Sequence, residues 1–190
     1  MSSVYVITGP SGVGKGTLIA ALRERRPELE LSVSATTRAP RPGEADGVAY
    51  YFLSEAEFDR RLAAGEFVEH AAYAGHRYGT LRGELARHTW HGASVLLEIE
   101  VQGARQVRAA IADAVLVFIA PPSLEVLRER LIARGTDDAQ TIDERLEAAA
   151  VELTARAEFP HVIVNDRLAA AIDELEALYV AHARASGASR

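Results

Sequence analysis

Nine consecutive residues near the start of the chain have the types and spacing of a phosphate-binding loop. They follow the apolar run Val4–Thr8, and their sequence is Gly9-Pro10-Ser11-Gly12-Val13-Gly14-Lys15-Gly16-Thr17. Glycines let the backbone turn several N–H groups towards one anion, a following helix adds its N-terminal N–H groups, and Lys15 adds a mobile positive charge. The segment therefore predicts that all nine residues bind a nucleoside triphosphate with Mg²⁺. The alternative is a chance glycine-rich turn.

The residue after the lysine departs from the commonest form of this loop, which has Ser or Thr at that place. Gly16 stands there and Thr17 follows. Thr17 is therefore the candidate hydroxyl for contacting the metal. The Lys-Gly-Thr ending resembles that of nucleoside monophosphate kinases more than that of GTPases or motor ATPases.

The loop is positioned by strands and helices, which the pattern of apolar residues predicts. Short runs rich in Val, Ile or Leu, without alternation, predict four strands buried on both faces, at Val4–Thr8, 95–99, Val115–Ala120 and His161–Val164. Helical patterns separate them at 102–111, 123–134, 139–159 and 168–184. The alternation predicts an α/β fold with a P-loop three-layer core, in which a parallel sheet is covered on both sides. Ligands of such sheets bind beyond the carboxyl ends of the strands.

Residues 32–80 have a different pattern, with short β-rich segments broken by proline and glycine. They predict an inserted, mostly β module between the first and second parallel strands, which holds a second substrate. Ser54 and Glu57 form a capping box that predicts a helix to about residue 64. We expect one domain of residues 1–190, with a core of 1–31, 81–125 and 150–185 and a helical lid at about 126–149.

Composition limits the class of protein. The chain has 190 residues, no cysteine and a formal net charge of −6. We therefore expect a cytoplasmic protein, a monomer or small homo-oligomer, that binds neither nucleic acid nor membranes. The six histidines have no metal-ligand spacing, and His88 with His91 is expected to form a surface pair at a helix end.

Further motifs follow the loop in order along the chain. They are Ser34-Ala35-Thr36-Thr37-Arg38-Ala39-Pro40-Arg41-Pro42-Gly43-Glu44, Glu66-Phe67-Val68-Glu69-His70, Tyr78-Gly79-Thr80, Glu98-Ile99-Glu100-Val101-Gln102-Gly103, Arg134-Gly135-Thr136 and Val164-Asn165-Asp166. Together they resemble the guanylate kinase family over nearly the whole chain. The resemblance implies an enzyme of purine nucleotide metabolism that uses ATP and Mg²⁺ to phosphorylate GMP to GDP, with dGMP as a further acceptor.

Two arginines and three hydroxyls are the candidates for holding the acceptor phosphate. Arg38 and Arg41 lie three residues apart in a proline-rich segment, and guanidinium groups bind phosphate oxygens in pairs. Ser34, Tyr50 and Tyr78 offer neutral donors for the remaining oxygens. The alternative for both arginines is solvated surface charge.

Glu69 is the candidate for recognising the base. Guanine presents two adjacent donors, and the two oxygens of a carboxylate accept from both. Adenine has an acceptor at the first of these places, so it would be rejected. Thr80 is expected to donate to the guanine carbonyl, where the family often has Ser. The alternative for Glu69 is an exposed strand carboxylate.

Glu98 and Glu100 are two residues apart, so on one strand they would point to the same face. Glu98 is a candidate for Mg²⁺, through water. The resemblance implies that the place of Glu100, where the family usually has Asp, lies near the guanine, and the longer side chain leaves that role open. A purely structural role is the alternative for both.

The donor side has its own basic residues. The resemblance implies that Arg134 and Arg145 are catalytic together with Lys15, and that Asn165 lies near the adenine of ATP. Arg130 shares a helix face with Arg134. For all three arginines the alternative is a salt bridge, to Glu129, Glu144 or Glu147.

Three other functions are compatible with a phosphate-binding loop. A small-molecule kinase acting on a sugar phosphate would not need Glu69, Thr80 and Tyr78 together. A non-catalytic guanylate-kinase-like binding module would be expected to lack the intact loop. A regulatory NTPase would not need residues 32–80.

Overall fold

The computed structural model describes residues 2–73, 75–135 and 138–188, with side chains as far as residue 184. The strands are β1 (Val4–Thr8), β2 (Leu29–Leu31), β3 (Ala35–Thr36), β4 (Tyr51–Phe52), β5 (Phe67–Tyr73), β6 (His76–Leu81), β7 (Ser94–Glu98), β8 (Val115–Ala120) and β9 (His161–Val164). The helices are α1 (Lys15–Arg25), α2 (Glu55–Ala63), α3 (Arg82–Trp90), α4 (Val101–Ala110), α5 (Leu124–Arg134), α6 (Ala139–Thr154) and α7 (Leu168–Ala188), with a 3₁₀ helix at Ala155–Glu158. Within the described residues, no helix has both the length and the apolar character needed to cross a bilayer.

The larger sheet has five strands in the order β2-β7-β1-β8-β9. Every residue of β1 and of β8 is buried, which explains why these runs are apolar without alternation. The four predicted core strands are confirmed, with β7 shifted by one residue. The fifth strand, β2, was not predicted, because it has three residues and only Leu29 is buried. It pairs in parallel with β7.

The smaller sheet has the order β4-β3-β6-β5 and lies within residues 35–81. β5 and β6 form an antiparallel pair from Phe67↔Leu81 to Tyr73↔His76. The pair packs on Phe58 of α2, whose ring stacks on Phe67 at a centroid distance of 4.5 Å. The mostly β character of this region is thus confirmed. The predicted position is wrong, because β2 makes it an insertion between the second and third parallel strands.

Local hydrogen bonds fix the ends of several helices. Ser54 accepts from the backbone N–H of Glu57 at 3.1 Å, which confirms the predicted start of α2. Ser123 and Asp138 cap α5 and α6 in the same way, at 3.2 and 2.8 Å. Gly135 ends α5 in the left-handed conformation. Thr136 and Asp137, in the predicted lid, lie outside the described residues.

The predicted helix at 139–159 is too long. α6 ends at Thr154, and a 3₁₀ helix follows to Glu158. Phe159 precedes Pro160 and is extended, since proline disfavours the helical conformation in the residue before it. The extended backbone places the Phe159 ring 5.3 Å from that of Phe118, in the core.

The chain divides into two compact units. The first unit contains Ile7–Glu28 and Leu116–Arg190, and the second contains Ser2–Val6 and Leu29–Val115. The loop at residues 9–17 and helices α5 and α6 belong to the first unit. The smaller sheet, α3 and α4 belong to the second. The division of one domain into a core, a module and a lid stays a prediction.

Candidate active site

The loop of the first unit, residues 9–14, depends on glycine for its course. Gly9 has φ 138°, and a side chain there would overlap the backbone carbonyl oxygen of Ile119 in β8. Gly14 has φ 97° and serves as the N-cap of α1, where a Cβ atom would lie 2.6 Å from Asn165 Nδ2. Since an L side chain is strained in both conformations, the turn from β1 into α1 requires glycine at both ends. Gly12, between them, also has positive φ.

Lys15 is held over this loop by two backbone carbonyls. Its Nζ donates to the oxygen of Gly9 at 2.6 Å and to that of Pro10 at 3.1 Å. Lys15 also begins α1, and no side chain caps this helix. The N–H groups of its first turn therefore lack intrahelical partners and are available to an anion. The structure thus brings the predicted loop, its lysine and a helix N-terminus together.

Asn165 and Arg130 are distant from the loop in sequence and support it through hydrogen bonds. Asn165 is buried after β9, and its Nδ2 donates to the carbonyl of Val13 at 2.9 Å. Arg130 Nη2 donates to the carbonyl of Asn165 at 2.8 Å, and Nη1 to that of Val13 at 3.5 Å. Arg130 therefore supports the loop, although the sequence left open a salt bridge to a neighbouring glutamate.

The two predicted lid arginines differ in their positions. Arg145 Nη1 donates to Ser11 Oγ at 2.8 Å, which brings α6 to the loop. Arg134 is exposed at the last position of α5. Among the described residues, the structure gives Arg134 no hydrogen bond to the loop.

Glu152 is a residue near the loop that the sequence reasoning missed. It lies seven residues after Arg145 on α6, hence on the same face of the helix. Burial raises the pKa of the Glu152 carboxyl, and the positive charge of Lys15 opposes that rise. The i, i+7 spacing from Arg145 is the signal that could have identified it.

Glu69 and Thr80 form a buried pair in the second unit. They face each other across β5 and β6, and Thr80 Oγ1 donates to Glu69 Oε1 at 2.7 Å. Glu69 is only 3% exposed. Burial raises the pKa of its carboxyl to about 6, although the hydrogen bonds from Thr80 act in the opposite direction. The alternative of an exposed strand carboxylate is therefore wrong.

Arg38 already has a carboxylate partner. Its Nη2 lies 2.9 Å from both oxygens of Glu44, and its guanidinium lies 5.3 Å from the ring centre of Tyr50. Glu44 also accepts from the backbone N–H of Arg41 at 2.8 Å, whereas the Arg41 side chain is exposed. Glu44 thus fixes the segment that bears both arginines. The role of Glu44 was not predicted, although its spacing of six residues from Arg38 can be read from the sequence.

The two predicted tyrosines lie together. The rings of Tyr50 and Tyr78 are 6.0 Å apart in an edge-on arrangement, and Arg38 adjoins Tyr50. Burial, with smaller effects from Tyr78 and Glu98, raises the pKa of Tyr50, so its hydroxyl remains a donor at neutral pH. Ser34 is half-buried, and its carbonyl accepts from the N–H of Tyr51, the residue after Tyr50. Arg38, Tyr50 and Tyr78, which are predicted to bind one phosphate, therefore form one cluster.

Glu98 and Glu100 do not share a strand, which corrects the expectation that they point to one face. β7 ends at Glu98, which is exposed, and Glu100 is the N-cap of α4. The backbone leaves the strand after Glu98 because α4 begins at Val101. The described residues contain no group of three or more His, Cys, Asp or Glu side chains arranged to hold a metal ion.

Glu84 is a further buried carboxylate of the second unit. It is buried on α3, and its carboxylate accepts from Val33 N–H at 3.2 Å and from Tyr51 Oη at 2.9 Å. Nε2 of His88 lies 3.0 Å from the same carboxylate. His88 is buried, so its expected role in a surface pair is wrong. The i, i+4 spacing of Glu84 and His88 was the available signal.

Comparison with known proteins decides the family. The model of the family described as guanylate kinase matches residues 1–182. The chain is 54% identical to a guanylate kinase of Frankia casuarinae over 175 residues, which are 92% of this chain and 95% of that protein. The chain belongs to the guanylate kinase family. A guanylate kinase of Thermobifida fusca is also 54% identical, over 93% of this chain and 90% of that protein.

A solved structure of the guanylate kinase family agrees with this fold. The crystal structure of guanylate kinase from Anaplasma phagocytophilum matches with a TM-score of 0.78 at 34% identity, and covers 95% of this chain and 86% of that chain. The family resemblance and the α/β P-loop fold inferred from the sequence are therefore confirmed. The roles of individual site residues stay predictions.

Proposed function

We propose that this protein transfers the γ-phosphoryl group of ATP to GMP, giving ADP and GDP, with dGMP as a further acceptor. The observation that carries the choice of acceptor is the buried pair of Glu69 and Thr80. A buried carboxylate is stable only with hydrogen-bond donors, and guanine supplies two adjacent ones.

Base recognition then becomes an exchange of hydrogen bonds. The Thr80 hydroxyl has one proton, and it is directed at Glu69 Oε1. When the two guanine donors reach Glu69, they replace that bond and release the Thr80 hydroxyl. Thr80 can then donate to the guanine carbonyl. Adenine offers Glu69 an acceptor in place of the first donor, so a lone pair would face the carboxylate and no hydrogen bond would form there.

The acceptor phosphate is held by the cluster that contains Arg38, Tyr50 and Tyr78, with Ser34 and Arg41 beside it. Arg38 has five N–H donors, of which Glu44 and the Ala39 carbonyl engage only part. Its guanidinium keeps its orientation through Glu44 and Tyr50 while the remaining donors reach phosphate oxygens. The exposed Arg41 closes on the phosphate from solvent. Glu100 at the start of α4 contributes to the base side, as the family's Asp does.

On the donor side, the loop residues 9–17 bind the ATP phosphates, and Asn165 borders the adenine. The loop N–H groups and the N-terminus of α1 carry the positive potential for this. Lys15, Arg134 and Arg145 stabilise the charge that develops on the transferring group. Arg145 is bonded to the loop through Ser11, so α6 is the natural carrier of a lid that excludes water.

Thr17 and Glu98 are the predicted ligands of Mg²⁺, Glu98 through water, because a hydroxyl and a carboxylate are hard oxygen ligands and both residues are exposed. The ion would neutralise charge on the nucleotide phosphates. Guanylate kinases are ATP-dependent kinases that generally use this ion.

The reaction requires no general base. The phosphate of GMP has a second pKa near 6, so at neutral pH it carries ionised oxygens that attack phosphorus without losing a proton. The protein therefore contributes positioning and charge stabilisation. We further expect a cytoplasmic monomer or small homo-oligomer that binds neither nucleic acid nor membranes.

A coupled assay with ATP and Mg²⁺ tests the proposal. GMP, AMP, CMP and UMP are supplied in parallel, and ADP and the nucleoside diphosphate are both measured. Rapid formation of GDP in equal amounts with ADP is expected, with the other three acceptors slower by orders of magnitude. ADP formation without GDP would indicate an NTPase and contradict the proposal. No observation favours a sugar-phosphate kinase or a binding module.

A further inference from the structure

Gly103 lies in the first turn of α4, where its missing side chain leaves room for the carboxylate of Glu69. A Cβ atom on Gly103 would overlap Glu69 Oε2 and would lie 3.0 Å from Glu69 Cδ. The φ of Gly103 is not positive, so its backbone conformation does not itself require glycine. The close approach of Glu69 is therefore the feature that excludes a side chain at this position.

Glycine is one of the least favourable residues in a helix, so its presence in α4 calls for a packing reason. Gly83 provides a comparison within the same unit. It lies in the first turn of α3, also without a positive φ, and a Cβ atom there would meet nothing within 4 Å. The two glycines have similar helical positions, and only Gly103 has a functional side chain against it.

Two neighbours thus fix the position of the Glu69 carboxylate. Thr80 holds Oε1 by a hydrogen bond of 2.7 Å, and the backbone of Gly103 limits the position of Oε2. Because Glu69 is buried, its carboxylate has little room to turn away without breaking the bond to Thr80. A methyl group at position 103 would move Oε2. Both carboxylate oxygens must be aligned with the two guanine donors, so this movement would weaken base recognition.

We propose that Gly103 is a positioning residue for base selection: its lack of a side chain lets Glu69 present both carboxylate oxygens to guanine. This inference rests on the proposed function, in which Glu69 reads the base. Gly103 touches no substrate in this account and acts only through Glu69. A substitution at Gly103 should therefore leave the binding of ATP unchanged.

Gly103→Ala is the direct test, with Gly83→Ala as the matched control. We expect Gly103→Ala to raise the KM for GMP tenfold or more, to leave the KM for ATP within twofold, and to lower the ratio of kcat/KM for GMP over AMP. Gly83→Ala should leave all three within twofold. Both alanines improve helix propensity, and in Gly103→Ala this gain opposes the cost of displacing the Glu69 carboxylate, so the thermal midpoint is measured for both variants. Equal effects of the two substitutions, or an equal rise in both KM values for Gly103→Ala, would overturn the proposal.

A second background shows whether the methyl group acts through Glu69. Glu69→Asp withdraws the carboxylate by one methylene, so adding Gly103→Ala should change the KM for GMP by less than twofold. This pair also removes the overlap, which keeps the test valid if Gly103→Ala alone does not fold. A further tenfold loss in the Asp background would refute action through Glu69. If Glu69→Gln impairs GMP use and Gly103→Ala does not, the inference fails and the proposed function stands; if Glu69→Gln has no effect, both fail.

Discussion

The ionisation of Glu69 should be visible in the stability of the protein. Burial raises the pKa of this carboxyl from 4.5 to about 6, a difference of about 2 kcal/mol in free energy between its two protonation states. A raised pKa favours the folded state while the carboxyl is protonated. That contribution is fully present below pH 4.5 and is lost as the pH rises through 6. Glu69→Gln removes the titration.

Urea unfolding of the wild type and of Glu69→Gln at pH values from 4.5 to 8 measures this effect. The free energy of unfolding of the variant, relative to wild type, should rise by about 2 kcal/mol between pH 4.5 and 7.5. Glu44→Gln supplies a control, since the hydrogen bonds from Arg38 and then from the Arg41 backbone lower the pKa of Glu44. A lowered pKa changes stability only below pH 4.5, so the destabilisation by Glu44→Gln should stay nearly constant over this pH range. A difference for Glu69→Gln that does not change with pH would refute the assignment of Glu69 as a buried, titrating carboxylate.

Three further outcomes are expected. Lys15→Ala should remove most phosphoryl transfer while circular dichroism shows an intact fold, because its charge stabilises the transition state; activity within threefold of wild type would contradict this. Arg41→Met should raise the KM for GMP roughly tenfold or more, which corresponds to a charged hydrogen bond of ~1.5–3 kcal/mol, and leave that for ATP almost unchanged; equal effects on both would exclude a phosphate contact. Glu100→Asp should keep kcat/KM for GMP within tenfold and raise the thermal midpoint, because Glu100 makes no cap hydrogen bond and Asp is a favoured N-cap; a larger loss of activity would show a contact specific to the longer side chain.

Residue types and local spacing were enough to predict much of this protein. The loop at 9–17 combines glycines, a lysine and a strand-to-helix transition, and all three constraints act over a few residues. β1 and β8 are buried on both faces, so they are apolar along their whole length. Glu69 and Thr80 lie in motifs that resemble the guanylate kinase family, their chemistry suits guanine, and the structure pairs them.

Other features depend on packing between distant segments. The role of Gly103 follows from the approach of Glu69, which is 34 positions away, and no local pattern encodes that approach. β2 has one buried residue, so its strand character comes from pairing with β7. Glu100 was assigned to a strand because two-residue spacing suits one, whereas α4 begins immediately after it. Arg130 reaches the loop through the packing of α5, whereas the sequence offered only salt-bridge partners for it.

Base selection is the central claim, and one measurement tests it most directly. It is the ratio of kcat/KM for GMP to that for AMP, determined for the wild type and for Glu69→Gln under identical ATP and Mg²⁺ concentrations. Sites that hydrogen-bond a substrate reject analogues without the matching groups by ~10⁴–10⁵. We expect a wild-type ratio of several orders of magnitude, and a smaller ratio in Glu69→Gln caused mainly by poorer use of GMP. Comparable use of GMP and AMP by the wild type, or unchanged GMP kinetics in Glu69→Gln, would contradict it.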